Sequence, residues 1–88
     1  MLRARLALVV LRVRATRDND QESLTLLRQL RSNRLALSAV LESLDAEYRE
    51  YCEACQASGN ALLDFFQWVI ENQDQIMAFI AAIMALFA

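Results

Sequence analysis

The sequence has no proline, no histidine and no lysine, and a single glycine, Gly59. Proline and glycine end helices and shape tight turns, so a chain of 88 residues nearly without them is expected to hold few, long elements. Without histidine, the commonest metal ligand and the side chain best suited to proton transfer at neutral pH are both missing. Two cysteines, Cys52 and Cys55, form a C-x-x-C pair. They supply half of a four-ligand zinc site, which only a symmetric dimer could complete, and a redox role calls for a βαβ setting this chain lacks. They are read as two small residues near the end of a packed helix, and no metal and no cofactor is expected. There is no glycine-rich phosphate loop, and no serine or cysteine stands beside a plausible base. Carboxylates such as Glu47 and Glu50 fall on a wet helix face. Catalysis finds no foothold in this pattern, and the chain is expected not to be an enzyme.

What the sequence does hold is aliphatic. It is 57% hydrophobic, above the roughly 45–50% of an ordinary soluble domain, and such a chain does not remain disordered. A single domain this short buries only about 60% of the surface its unfolded chain exposes. Small domains make up the deficit with disulfides, a metal or oligomerisation. With the first two thinly supplied, association is expected.

The net charge of −2 conceals a division. Residues 1–17 carry Arg3, Arg5, Arg12, Arg14 and Arg17 and no acid, a charge of +5, while residues 18–88 carry four arginines and all eleven acids, a charge of −7. That every basic residue is arginine is read first as coding bias; a functional reason would be forked pairing to carboxylates or phosphates. The five N-terminal arginines are expected to pair with acids of residues 42–53, within the chain or between subunits, with a membrane surface as the second choice. No aromatic is interleaved with them, so stacking on single-stranded bases has no platform, and nucleic acid is disfavoured as a partner.

Along the chain, residues 1–16 form a basic, apolar segment read as a short helix near 2–15. Its Arg-rich, acid-free composition is shared with organellar transit peptides, and its apolar run, Leu6 to Leu11, is too short for a convincing secretory signal. The polar stretch Arg17 to Gln21 ends it, with Asp18, Asn19 and Asp20 as capping candidates and Glu22 suited to the positive end of a helix dipole. One amphipathic helix is expected over 20–57, about 50 Å long, stopping at Ser58-Gly59-Asn60. Leu30, Leu37, Leu44 and Tyr51 recur every seven residues, and Leu27, Leu41, Tyr48 and Cys55 form a parallel row interrupted by Arg34. Together with Leu26 and Val40 they make one apolar stripe on a helical period.

The segment 60–88 is the most apolar. Leu62, Phe66, Val69, Gln73, Ile76, Ile80, Ile83 and Phe87 alternate at spacings of four and three, a heptad seam with one polar member, Gln73, of the kind that fixes register. Its last turns are apolar all round, as in a helix buried in protein or lipid. As a lone membrane span it is poor, because the 13 clean residues from Ile76 to Ala88 fall short of the roughly 20 required.

The expected fold is all-α: a long antiparallel helical hairpin (20–57 and 60–88) with a short N-terminal helix, in one oligomerising domain. The expected function is a non-catalytic structural or interaction subunit of a larger homo- or hetero-oligomeric assembly, held by the Leu62-to-Phe87 seam. Its partner would be itself or another protein, in an intracellular or virion setting, with the membrane second. The short, arginine-rich, apolar-ended make-up resembles in style small viral and bacteriophage accessory proteins, with no motif that carries over residue by residue. The alternatives are a holin-like membrane-active protein, whose C-terminal helices cluster in a bilayer, and a helical regulator or inhibitor that binds a partner's groove.

Overall fold

The polar run from Arg17 to Asp20 ends one helix and begins the next. Asn19 takes a positive φ of 55°, which asparagine tolerates better than most residues, and turns the chain out of α1 (Leu2–Arg17). Asp20 caps α2 (Gln21–Ser32): its carboxylate accepts from Ser23 Oγ at 2.7 Å and from the Ser23 backbone N–H at 3.1 Å. Those two bonds hold the Asp20 carboxyl below its ordinary pKa. The break therefore falls where the capping residues predict it. A computed structural model describes the backbone of residues 2–55 and 61–87, and among these all regular structure is α-helical.

The single helix expected over 20–57 is two helices, because Asn33 closes one and opens the other. Its backbone N–H donates to Leu30 O at 3.1 Å, ending α2, while its Oδ1 accepts from Ala36 N at 3.1 Å and caps α3 (Arg34–Cys55). Asparagine can do this because its short side chain substitutes for a missing backbone partner. The rod of about 50 Å does not form; the molecule measures 37 × 27 × 19 Å.

The helix expected over 60–88 divides in the same way. Asn72 donates to the Trp68 carbonyl from its backbone N–H at 3.0 Å and from Nδ2 at 2.8 Å, while its own carbonyl accepts from Ile76 N at 2.9 Å. Around it α4 (Ala61–Glu71) and α5 (Gln73–Phe87) are bent by 74°. The Ser58-Gly59-Asn60 turn lies outside the described residues. Five shorter helices thus stand where a long hairpin and one short helix were expected. Helices α1 and α5 each lie against α2, α3 and α4, and Asn33 Nδ2 ties the end of α5 to the α2–α3 joint through the Phe87 carbonyl at 3.0 Å. The radius of gyration, 12.8 Å, is close to the roughly 12 Å of a compact chain this long.

The stripe read from the α2–α3 sequence does form the core: Leu27, Leu30, Val40, Leu41, Leu44 and Tyr48 are buried. Phe65, Trp68 and Val69 of α4 and Ile76 and Ile80 of α5 close over it. Tyr48 packs edge-on to Phe65, ring centres 4.8 Å apart, and lies 5.6 Å from Trp68, within the range where aromatic pairs add to simple burial. Burial, with the neighbouring Cys52 adding, pushes the Tyr48 phenol up to about 12.

Candidate functional site

Helix α1 is apolar on two opposite sides, and which side it buries decides what the surface can do. Ala4, Ala7, Leu11 and Ala15, spaced three and four apart, face the core and are at most 4% exposed. The opposite stripe carries Leu2, Val9 and Val13, which are 73%, 45% and 59% exposed, with Leu6 half-buried. Small side chains let helix backbones approach closely, since interaxial distance follows the side chains at the contact. The larger aliphatics are thereby left in water. Fully burying a side chain of this size is worth about 1.5–3 kcal/mol, so this stripe holds a sizeable unused driving force.

The basic segment divides by position along and around α1. Arg3, next to the buried face, donates to Asp45 Oδ1 from Nε at 3.1 Å and from Nη2 at 2.7 Å, and lies over the Tyr48 ring at 4.8 Å from its centre. Arg49 adds a second contact to the same carboxylate, at 2.9 Å from Oδ2. The Arg3 hydrogen bond is the main cause that holds the Asp45 carboxyl below its ordinary range. Pairing of the basic segment with the acids of 42–53 is thus realised within the chain at Arg3. Arg14 donates from Nε to Gln73 Oε1, joining α1 to α5, and Arg17 lies 3.7 Å from Asp18.

Arg5 and Arg12 do something else. They line an open groove between α1 and α2 together with Leu8, Val9, Leu27, Arg31 and Leu37, with a volume of about 280 Å³. It continues into a hollow of about 180 Å³ that shares Arg12, Leu27 and Arg31 and adds Leu24 and Arg28. Arg5, Arg12, Arg28 and Arg31 are all exposed, and none has a carboxylate partner among the described residues. An apolar floor between unpaired guanidinium groups is suited to recognising carboxylates carried on an apolar body. The sequence reading singled out Arg5 and Arg12 but not Arg28 and Arg31, which sit on the polar side of α2 and join them only through helix packing.

The heptad seam is divided by the bend at Asn72. Val69, Ile76 and Ile80 are buried inside the chain, Phe66, Gln73 and Ile83 are half-buried, and Phe87 is 40% exposed; the side chain of Leu62 lies outside the described residues. Gln73, the polar member of the seam, receives a hydrogen bond from Arg14 within the chain. The last turns are not covered all round: Ala81, Ala82, Ala85 and Leu86 face solvent. Among the described residues no polar or charged side chain is buried, and no three metal-ligating side chains gather. Cys52 is half-buried with a free thiol. No described helix is by itself long and apolar enough to cross a membrane, though the bent pair α4–α5 has the length and composition of a broken span. Comparison with models of protein families, with curated proteins and with solved structures finds no match.

Proposed function

We propose that this protein is a non-catalytic interaction subunit whose outer α1 stripe and adjoining groove are covered by another protein chain, in a homo- or hetero-oligomeric assembly. One observation carries the reading: α1 turns Ala4, Ala7 and Ala15 inward beside Leu11, and leaves Leu2, Val9 and Val13 outward. A helix with only its own domain to pack against gains more by the reverse arrangement. The interface proposed here lies on α1 and α2 rather than along the whole Leu62-to-Phe87 seam, because Val69, Ile76 and Ile80 already serve the chain's own core. Leu86 and Phe87 at the exposed end of α5 remain available to extend it.

Size measurement tests the proposal. In a lysate of expressing cells the chain should migrate well above its own 10.0 kDa, and replacing Val9 and Val13 with aspartate should return it to that mass with its helical circular dichroism intact. A chain that runs at 10.0 kDa in lysate and in plain buffer alike overturns the reading. The second reading, a membrane-active protein, rests on the broken span of α4 and α5. It requires Phe65, Val69, Ile76 and Ile80 to leave the core they share with Tyr48 and Leu44. Pelleting with membranes that survives alkaline extraction would favour it over the first.

A further inference from the structure

We propose that the groove between α1 and α2 holds an acidic amphipathic helix of a different protein, an inference that rests on the interaction-subunit reading and names the occupant of its surface. Four arginines stand on the two banks, Arg5 and Arg12 on α1 and Arg28 and Arg31 on α2, none with a carboxylate partner among the described residues. Four guanidinium groups gathered without acids repel one another and attract a ligand that brings several carboxylates. Arg5 and Arg12 are seven residues apart on one helix, about 10.5 Å along its axis. Carboxylates seven residues apart on a second helix laid beside α1 repeat at the same interval. Between the banks, Leu8 and Leu27 offer an apolar floor for the stripe such a helix carries.

Shape argues against a small molecule. The groove and the hollow it runs into are open to solvent along their length, whereas a compact ligand is largely enclosed by its site. A second copy of this chain is a poorer fit. Among its described residues the exposed side of α3 offers Glu42, Glu47 and Glu50 with Leu35 as its one large exposed apolar residue, acids without a stripe, while α4 exposes Leu63 and Ile70 with Glu71 as its one exposed acid, a stripe without flanking acids.

The probe is a designed, fluorescently labelled helical peptide of about four turns, with leucines along one face and glutamates on both flanks, titrated against the full chain by anisotropy. A control peptide carries glutamine for every glutamate. The acidic peptide should bind, the glutamine peptide should bind about tenfold more weakly or not at all, and added salt should erode the difference. The variant carrying Arg5→Gln and Arg12→Gln should lose about tenfold toward the acidic peptide alone. These side chains are exposed, so circular dichroism should show the fold unchanged. Equal binding of the two peptides, no binding of either, or an acidic peptide indifferent to the arginine substitutions overturns the proposal. So does co-sedimentation with phosphatidylglycerol vesicles that depends on Arg5 and Arg12 while the peptide fails to bind. If the peptides fail but aspartate at Val9 and Val13 still lowers the mass in lysate, the interaction-subunit reading stands and the acidic helix alone falls. If the mass never exceeds that of the chain, both fall.

Discussion

Between α3 and α4 the aromatic side chains Tyr48, Phe65 and Trp68 point inward and pack in one cluster, whereas α1 turns Ala4, Ala7 and Ala15 to the core beside Leu11, and Leu2, Val9 and Val13 to water. Both sides hold similarly apolar sequence and both leave large aliphatics exposed, Leu35, Leu63 and Ile70 on the α3–α4 side, but only there do large aromatic rings close a cluster within the chain. On the α3–α4 side, burial volume sets the packing. On the α1 side, three of the four buried residues are alanines, and Leu2, Val9 and Val13 stay on the exterior. Apolar content therefore does not show where a small domain is finished; the orientation of each helix about its own axis does.

The largest effect expected from breaking this contrast lies in the aromatic cluster. Tyr48→Ala removes a fully buried ring and should cost about 3–5 kcal/mol, a large share of the roughly 5–15 kcal/mol that holds a domain folded. Urea denaturation followed by circular dichroism should show the transition moved far toward zero denaturant. A smaller and sharper effect belongs to α1. Ala7→Leu adds volume where the helix meets the core and should destabilise by about 1–3 kcal/mol, while Val13→Ala, on the open side, should stay within about 0.5 kcal/mol. If trimming Val13 proved the costlier of the two in the isolated chain, the inverted orientation of α1 would be refuted. A small effect that varies with pH is expected at Asp45. Its folded pKa lies below the 3.8 of an ordinary aspartate, so the ionised carboxylate contributes stability above that pH and loses it as the pH falls through the folded value. The advantage of the native chain over Asp45→Asn, under about 1 kcal/mol at neutral pH for a pair this accessible, should close in acid and be read from urea midpoints across the titration.

Much of this arrangement is legible in the residues. The capping run at Asp18 to Asp20 and the apolar stripe from Leu27 to Tyr48 are written in residue type and spacing, and both appear in the structure. The breaks at Asn33 and Asn72 are not, because neither involves glycine or proline and asparagine ends a helix only when its side chain finds the right backbone group. A trace of the first break exists, since Arg34 interrupts the row formed by Leu27, Leu41 and Tyr48. The second is masked by its neighbours: in the polar run Glu71 to Gln75, Asn72 reads as one more hydrophilic position of a continuous helix. Periodicity also cannot tell which of two apolar faces of α1 goes inward. Hydropathy alone favours the leucine and valine face, and the choice of the alanine face emerges only when three neighbouring helices are placed against it. The groove shares that limit, for Arg28 and Arg31 meet Arg5 and Arg12 across helices, not along the chain.

The sole indole of the protein, Trp68, sits 5.6 Å from the Tyr48 ring and 6.3 Å from that of Tyr51, the only two phenols in the sequence. Light absorbed by either phenol is passed on at such separations, so tryptophan emission registers whether α3 and α4 remain docked. Neither α1 nor α2 contains any chromophore of this kind. The molecule therefore carries its own optical gauge at one end and is spectroscopically silent at the other, and changes made along the arginine banks can be monitored for integrity without a label.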